Sequence, residues 1–257
     1  MQMNPNSLCD THFHLDSTDD VDSIVQKAHD AGVENLILSC CDLSSIEFGI
    51  NIVNKYPNMY LTIGLHPDEI KDDTSDLINY FEDLIINNPK IIGIGEIGLD
   101  YYHNKDNKEE QIALFKKQLD LAKKLNLPVV IHSRDAFLDT YNILKEYKLK
   151  TTIHCFTGSM EVANLYIKEG YLLGIGGVST FKNTNLKETL KSVPLENIVF
   201  ETDSPYMAPE PFRGTKNEPS NVSIICDNLC NIKNISRSDA IKITTKNVLN
   251  QYSRIKR

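Results

Sequence analysis

The sequence has no tryptophan, no long hydrophobic run and no excess of basic residues, and each absence narrows the range of functions. Its 257 residues include 27 Lys and Arg against 35 Asp and Glu, a formal net charge of −8, which excludes a sequence-wide basic footprint for nucleic acid. No apolar stretch approaches the roughly 18–20 residues that a membrane span requires. The first residues lack the basic-then-apolar pattern of a secretory signal, so we expect a cytoplasmic protein with no membrane partner.

Aromatic residues are scarce and cysteines are scattered, and both features carry expectations. Aromatic residues make up 8% of the chain, which limits the platforms for base stacking, so any nucleic-acid substrate should be bound with weak sequence preference. The six cysteines follow neither zinc-finger nor secreted-framework spacing, so we expect reduced thiols that fill the core. The negative charge still permits a phosphate-bearing substrate, because bound divalent cations reverse the field within a site.

Short apolar runs alternate with amphipathic stretches along the whole chain, with no linker, repeat or low-complexity segment. The apolar runs are nearly continuous and rich in β-branched residues, which is typical of strands buried on both faces of a parallel sheet. Eight strands are predicted in the runs SLCDTH, NLILSC, MYLTIGLH, IIGIGE, LPVVIHS, KTTIHC, YLLGIG and NIVFETD. Helices are predicted at Val21–Ala31, Ser44–Lys55, Thr74–Ile86, Glu109–Leu125, Ala136–Tyr147, Met160–Lys168, Leu186–Ser192, Val222–Leu229 and Ser238–Tyr252.

Eight strand–helix units in about 250 residues predict an α/β fold, a (β/α)8 barrel of the TIM type that forms a single domain over residues 1–257. An open, doubly wound sheet is the alternative, but the glycine-rich fingerprint of that fold does not follow the first strand. In a barrel, the carboxyl ends of the strands converge on one face, where active sites are built. Side chains at those ends are therefore the candidates for chemistry.

Most of the histidines follow strands. Five of the seven fall at or just past the carboxyl end of a predicted strand: His12, His14, His66, His132 and His154. The H-x-H pair on the first strand can project both imidazoles to one side and bind one metal ion. The remaining two, His29 in a predicted helix and His103 in a polar loop, are interpreted as solvated or structural.

Two carboxylates complete the predicted cluster. Glu96 ends the fourth predicted strand and Asp203 ends the eighth. A carboxylate at the end of a buried apolar strand needs a cation or a hydrogen-bond partner, and metal binding is the favoured interpretation. Asp100 and Glu201 are weaker candidates, either for support around the ligands or for a structural role.

Four histidines and two carboxylates are too many ligands for one tetrahedral ion, so we predict two metal ions bridged by a carboxylate or a hydroxide. Such pairs activate water and stabilise the entering and leaving oxygens of an in-line displacement. His66 remains as a proton donor or phosphate contact. The loop PEPFRGTKNEPSN follows the eighth strand, on the side where barrels often bind phosphate, and its Arg213 can hold phosphate oxygens bidentately.

These motifs resemble those of the TatD family of metal-dependent deoxyribonucleases, within the amidohydrolase-like barrels. Seven segments carry the resemblance in the family's order: DTHFHLD, GLHP, GEIGLDYY, HSRDA, HCFTGS, ETDSPYMAP and RGTKNEPSNV. H-x-H alone is shared across the wider superfamily, whereas ETDSP followed by R-G-x-x-N-E-P is much more specific. The resemblance implies a TIM-type barrel and a divalent-metal-dependent 3′→5′ exonuclease that hydrolyses single-stranded or frayed DNA, with roles in DNA repair or degradation.

The resemblance also implies how the ligands divide between the two ions. It assigns His12, His14 and Asp203 to one metal ion, His132 and His154 to the second, and Glu96 to the bridge between them. Asp203 would in addition accept a proton from the attacking water. Related barrels usually bridge their metals with a carboxylated lysine at the end of strand four, and the glutamate found there favours the nuclease branch.

Further residues would contact the substrate. By resemblance, His66 and Arg213 contact the scissile phosphate, and Asn217 fixes the loop that carries the arginine. Thr215 and Lys216 stand where the family has a more basic pair. The substitution leaves less positive charge in this loop to hold nucleic acid.

The sequence leaves more than one possibility for the identity of the metal and of the substrate. We expect Mg²⁺ to support turnover, with Mn²⁺ or Zn²⁺ as alternatives because imidazole-rich ligation favours zinc in binding strength. DNA is the expected partner of a monomeric protein, and RNA or tRNA stays open. Two other functions fit the same residues: ester hydrolysis on D-aminoacyl-tRNA, attributed to some TatD-like proteins, and a non-catalytic interaction protein stabilised by its metals.

Overall fold

The computed structural model describes residues 3–70, 75–103 and 105–255, and it confirms the predicted (β/α)8 barrel. The strands are β1 (Leu8–Phe13), β2 (Val33–Cys40), β3 (Met59–Ile63), β4 (Ile91–Asp100), β5 (Val129–Arg134), β6 (Thr151–Ile153), β7 (Leu172–Ile175) and β8 (Ile198–Phe200). They form one parallel sheet in which neighbours follow chain order. All eight therefore end on the same face.

Helices cover the outside of the sheet. They are α1 (Val21–Asp30), α2 (Leu43–Val53), α3 (Ser75–Asn87), α4 (Lys108–Leu125), α5 (Phe137–Tyr147), α6 (Met160–Lys168), α7 (Leu186–Ser192), α8 (Val222–Lys233) and α9 (Arg237–Gln251). Thr74, the predicted start of the third helix, lies outside the described residues. Within the described ranges, no helix combines the length and apolarity needed to cross a membrane.

Side-chain caps explain where several helices begin. At α2, the Asp42 carboxylate accepts from the Ser45 backbone N–H at 3.0 Å, and the Ser45 hydroxyl accepts from the Asp42 N–H at 3.2 Å. Such caps satisfy N–H groups that the first helical turn leaves unpaired. The predicted helix bounds agree within two residues except at α8. That helix continues one turn further, to Lys233, and ends where Asn234 adopts a left-handed conformation with φ of 52°.

Three strand ends differ from the prediction by three residues or more and move site residues. β3 ends at Ile63, so His66 lies three residues beyond the strand in which it was predicted. β4 continues past Glu96 to Asp100, so Glu96 lies inside the strand rather than at its end. The continuation depends on Gly98, which has φ of 150° and whose missing Cβ would stand 1.9 Å from the backbone oxygen of His132 on β5. β8 is shorter than predicted, so Asp203 lies three residues beyond its end.

Two apolar clusters fill the fold, one on each side of the sheet. Strand neighbours alternate between them: Leu36 and Leu38 belong to the outer cluster under the helices, and Ile37 to the inner one. The inner cluster contains strand residues Cys9, Ile37, Tyr60, Ile92, Val130, Leu172 and Val199, together with Val248 and Tyr252 at the end of α9. The side chain of Asn247 on α9 donates to the carbonyl of Ile198 at 2.8 Å, so this helix closes the amino end of the barrel.

Hydrogen bonds beyond the strand ladders join β1 to the segment after β8. The backbone N–H of Asp203 donates to the carbonyl of His12 at 2.9 Å. The fully buried carboxylate of Asp10 accepts from the backbone N–H of Thr202 at 2.9 Å and from its hydroxyl at 2.5 Å. We call these three bonds the seam, because they bring the first and last strands together.

All six cysteines are free thiols, as the sequence predicts. Cys9, Cys40 and Cys226 are buried, whereas the other three are partly exposed. The expectation that they fill the core therefore holds for half of them.

Candidate metal centre

The carboxyl ends of the strands surround a cavity of about 660 Å³. Its lining includes six of the predicted site residues: His14, His66, Glu96, His132, His154 and Asp203. His12 lies just beneath, with 1% of its side chain exposed and its Nε2 3.1 Å from the Nε2 of His14. The structure thus brings all five strand-end histidines and both carboxylates to one place.

Glu96 stands at the centre of the cluster with one carboxylate oxygen toward each half. Its Oε2 lies 3.3 Å from His12 Nε2 and 3.8 Å from His14 Nε2. Its Oε1 lies 2.8 Å from His132 Nδ1 and 3.6 Å from His154 Nε2. A carboxylate that faces two separate imidazole pairs has the arrangement needed to bridge two cations.

Asp203 approaches the cluster from the turn after β8. It has φ of 56°, in the left-handed region that aspartate tolerates better than most residues. Its Oδ1 lies 3.5 Å from His14 Nε2, 3.7 Å from His154 Nε2 and 3.9 Å from His12 Nε2. Asp203 therefore faces three imidazoles, one of which the resemblance assigns to the other ion.

Three cluster histidines have an oxygen close behind the ring. The pairs are His14 Nδ1 with the Ser39 carbonyl, His132 Nε2 with Asp100 Oδ2, and His154 Nδ1 with Glu201 Oε1, each at 3.0 Å. Contacts of this kind orient the ring and leave its other nitrogen free for a metal ion. Asp100 and Glu201 thus support the cluster histidines.

Asp100 is itself fixed by the turn after β4. The backbone N–H groups of Tyr102 and His103 each donate to its Oδ1 at 2.9 Å, and His103 Nδ1 lies 2.9 Å from its Oδ2. His103 therefore lines the cavity beside the cluster, with half of its side chain exposed. His29, the other histidine interpreted as solvated or structural, is exposed on α1.

The imidazoles and carboxylates shift one another's pKa values. Burial would raise the pKa of Glu96, but the charge of His154 and hydrogen bonds from His12 and His132 hold it well below its usual range. Burial would lower the pKa of His132, but hydrogen bonds to Asp100 and Glu96 raise it to about 9. The pKa of His154 rises to about 10, since the neighbouring carboxylates outweigh burial. Without a bound cation, the cluster therefore holds protons that a metal ion would displace.

The donor set fits divalent metal ions. Among the described residues, five groups have ligand atoms within 4.8 Å of one another. Three of them lie in the cluster: His12, His154 and Asp203; His12, His14 and Glu96; and His66, Glu96 and His132. Imidazole nitrogen suits zinc, and carboxylate oxygen suits magnesium and manganese. The third group adds His66 to the predicted ligands, whereas the sequence suggested a substrate contact for it.

The two cations of the loop after β8 stand apart from the cluster. Arg213 does not line the cavity, and its guanidinium carbon lies 4.3 Å from the ring centre of Phe181. Lys216 pairs with Asp19, with its Nζ 2.5 Å from the carboxylate Oδ1. Neither cation contacts a cluster residue within the described part of the chain.

Asn217 is buried and braces the segment that follows β8. Its side-chain amide donates to the carbonyl of Thr202 at 2.9 Å and to the carbonyl of Tyr206 at 2.7 Å. Both carbonyls flank Asp203 in the chain, so Asn217 stabilises the turn that carries this carboxylate.

Several cavity residues were missed by the sequence argument. The Sγ of Cys41 lies 3.7 Å from His14 Nδ1 and 3.9 Å from Glu96 Oε2, and Arg134 also lines the cavity. Cys41 directly follows β2, and Arg134 is the last residue of β5. Position at a strand end was therefore the signal that could have found them, had it been applied to more residue types.

A (β/α)8 barrel with histidines and carboxylates gathered where its strands end is the architecture of a metal-dependent hydrolase. Residues 9–253 match the family model described as TatD related DNase. The chain belongs to the TatD family.

Individual relatives are similar over nearly the whole chain. The metal-dependent hydrolase YabD of Bacillus subtilis is 36% identical over 247 residues, which cover 93% of this chain and 96% of that protein. Human deoxyribonuclease TATDN3 is 33% identical over 265 residues, covering 97% and 96%. The crystal structure of the TatD homologue YJJV from Escherichia coli K12 matches with a TM-score of 0.92 at 26% identity, over 97% of this chain and 99% of that one.

Proposed function

We propose that this protein is a divalent-metal-dependent deoxyribonuclease that shortens single-stranded DNA from its 3′ end, as a single-domain monomer. The observation that carries the proposal is the position of Glu96, whose two oxygens face separate pairs of imidazoles. The similarity to a relative named as a deoxyribonuclease supports DNA as the substrate. We also propose a role in DNA repair or degradation, and a cytoplasmic location.

Two divalent ions, Mg²⁺ or alternatively Mn²⁺ or Zn²⁺, are proposed to bind in the cavity. The residues proposed to hold them are His12, His14 and Asp203 for one ion, His132 and His154 for the other, and Glu96 for both. When bound, such ions neutralise phosphate charge and make water a stronger nucleophile. An anionic substrate needs them, because the cavity lining contains the carboxylates of Asp16, Asp19, Asp42, Asp68, Glu96, Asp100 and Asp203.

Asp203 is proposed to accept a proton from the attacking water. Burial would raise its pKa, but the charge of His154 and a hydrogen bond from His14 hold that pKa below its usual value. The carboxylate is therefore ionised at neutral pH and able to take a proton. Its side chain is 15% exposed toward the cavity, so water can reach it.

His66 is proposed to contact the scissile phosphate. Its Nδ1 accepts from the backbone N–H of Asp68 at 3.3 Å, which leaves the ring proton on Nε2, 3.8 Å from Glu96 Oε1. Burial lowers the pKa of His66, so a neutral ring would donate one hydrogen bond into the cavity. Arg213 is proposed to approach the phosphate from the loop that Asn217 braces.

A time course with a single-stranded oligonucleotide, labelled at either end, tests the proposal. We expect Mg²⁺ to support loss of nucleotides from the 3′ end, EDTA to abolish it, and Glu96→Ala protein to be inactive. His29→Ala is the matched control, because it removes an exposed imidazole on α1 and should leave the rate unchanged. Shortening from the 5′ end would contradict the polarity, and cleavage by Glu96→Ala protein would contradict the bridging role.

The same samples separate the nuclease from its two alternatives. Hydrolysis of D-aminoacyl-tRNA in place of DNA, with any of the three metals, would redirect the assignment to ester hydrolysis. Metal-dependent thermal stability without hydrolysis of either substrate would favour a non-catalytic protein.

A further inference from the structure

Two exposed tyrosines follow strands on opposite sides of the barrel. Tyr206 lines the cavity, and Tyr102 contacts the cavity residues Arg134 and His103. Tyr102 follows β4 and Tyr206 follows β8, which are four strands apart in the eight-stranded sheet. They are 57% and 63% exposed, respectively. Aromatic rings left in solvent at the mouth of a cavity are typical of a binding surface, because burying them there would gain free energy.

Tyr102 is backed by a cation. The guanidinium carbon of Arg134 lies 4.0 Å from its ring centre, and the ring of His103 meets it edge-on at 5.1 Å between centroids. Among the described residues that line the cavity, Arg134 is the one lysine or arginine. A base can stack on the free face of such a ring while the guanidinium contacts a neighbouring backbone phosphate.

Tyr206 is anchored by its main chain and leaves its side chain free. Its carbonyl accepts from the buried amide of Asn217 at 2.7 Å, and its N–H donates to the carbonyl of Asp203 at 2.9 Å. Its ring lines the cavity and lies 6.3 Å from the ring of His14, between centroids. The main chain that carries the ring is therefore fixed beside the cluster, and the ring itself faces solvent.

We infer that Tyr102 with Arg134 on one side, and Tyr206 on the other, are stacking platforms for the two nucleosides that flank the cleaved phosphodiester. The inference rests on the proposed nuclease function and names how its substrate is held. The low aromatic content predicted few platforms for base stacking. The inference refines this expectation, because two of the few exposed rings lie beside the metal centre. Stacking needs an unpaired base and accepts any base, so these platforms select single strands and leave sequence preference weak.

The test compares a complete single-stranded oligonucleotide with one that carries abasic residues on both sides of the cleavable bond. The measured quantity is the ratio of kcat/KM for the two substrates in Mg²⁺. Each of Tyr102→Ala and Tyr206→Ala should lower this ratio by roughly tenfold, a typical contribution of one stacked base. Tyr102→Phe and Tyr206→Phe should keep the ratio, because the ring remains. Tyr80→Ala is the matched control, since it removes a partly exposed tyrosine on α3.

The outcomes distinguish the inference from the function on which it rests. Cleavage with unchanged ratios in both alanine variants would overturn the platforms and leave the nuclease intact. Absence of hydrolysis in every protein would overturn the nuclease. In that case, the affinity for a fluorescein-labelled single-stranded decamer, measured by anisotropy, would test the platforms. Weaker binding by Tyr102→Ala and Tyr206→Ala than by Tyr80→Ala would support the platforms; equal binding, or none, would overturn them.

Discussion

The two ends of the barrel interior are built by the same strands under different requirements. Near the amino ends, side chains such as Cys9, Ile37 and Val130 form an apolar layer against Tyr252. Three residues after Cys9 on the same strand, His12 already belongs to the metal centre. The apolar layer needs volume and shape, whereas the metal centre needs particular donor atoms at particular positions.

The difference teaches which part of the barrel is stable under all conditions. Apolar packing changes little with pH or with bound ions. The metal centre depends on a balance in which burial disfavours charge and neighbouring opposite charges restore it. The proposed function and this conditional stability therefore lie at the same end of the molecule. Substitutions at either end test whether the two ends are independent.

We expect pH to have the largest effect, through the metal centre of the metal-free protein. In the folded state the pKa of His132 is about 9 and that of His154 about 10. Both exceed the ordinary value of about 6.5, so their stabilisation is complete below that value and is lost as pH rises through the folded-state values.

The free energy of unfolding of EDTA-treated protein should therefore decrease by on the order of several kcal/mol between pH 6.5 and pH 9. The measurement is the melting temperature, which should fall over the same range. In saturating Mn²⁺ the decline should disappear, because the metal binds neutral imidazoles. A metal-free melting temperature that stays constant over this range would show that the imidazoles do not stabilise the fold.

A cavity in the apolar layer should have the next largest effect, and on stability rather than on chemistry. Ile37→Ala removes a fully buried side chain from the inner cluster and should lower the free energy of unfolding by about 2–5 kcal/mol in urea titration. Ile86→Ala, an exposed position on α3, should stay within about 0.5 kcal/mol of the parent. If Ile37→Ala also weakens metal binding in proportion, the two ends are coupled.

Removing a charge behind the cluster should have the smallest effect. Glu201 Oε1 lies 3.0 Å from His154 Nδ1 and accepts from the Cys155 backbone N–H at 2.5 Å. Glu201→Gln keeps the size but loses the charge, and metal affinity in a chelator competition should fall roughly tenfold to a hundredfold. Glu188→Gln on α7 removes an exposed carboxylate and serves as the reference. Equal affinities would mean that His154 does not depend on Glu201.

The sequence was sufficient for the barrel and for the approximate position of the cluster. The periodicity of apolar residues and the recurrence of histidines after apolar runs are properties of short stretches of sequence. They can therefore be recognised without knowledge of the fold. The length of β4 could not be read this way, because the glycines around Glu96 are as typical of a strand end as of a strand interior. Only contact with β5 shows that Gly98 allows the ladder to continue.

The contacts that support the cluster were harder to predict from the sequence, because they join segments that are far apart in the chain. Asp10 gives no motif by itself, yet its carboxylate meets Thr202 at a sequence separation of 192 residues. His103 was interpreted as solvated or structural, and only the turn at Asp100 brings it to the cavity. The two exposed tyrosines likewise gain their meaning from strand order, since β4 and β8 are far apart around the barrel.

The seam between β1 and β8 also sets when the site can first exist during synthesis. His12 emerges early and Asp203 late, and their backbones bond only when the last strand reaches the first. A nascent chain that stops before β8 carries every cluster histidine but lacks Asp203 and the partner of Asp10. We therefore expect the candidate metal centre to be complete only once the chain has closed on itself.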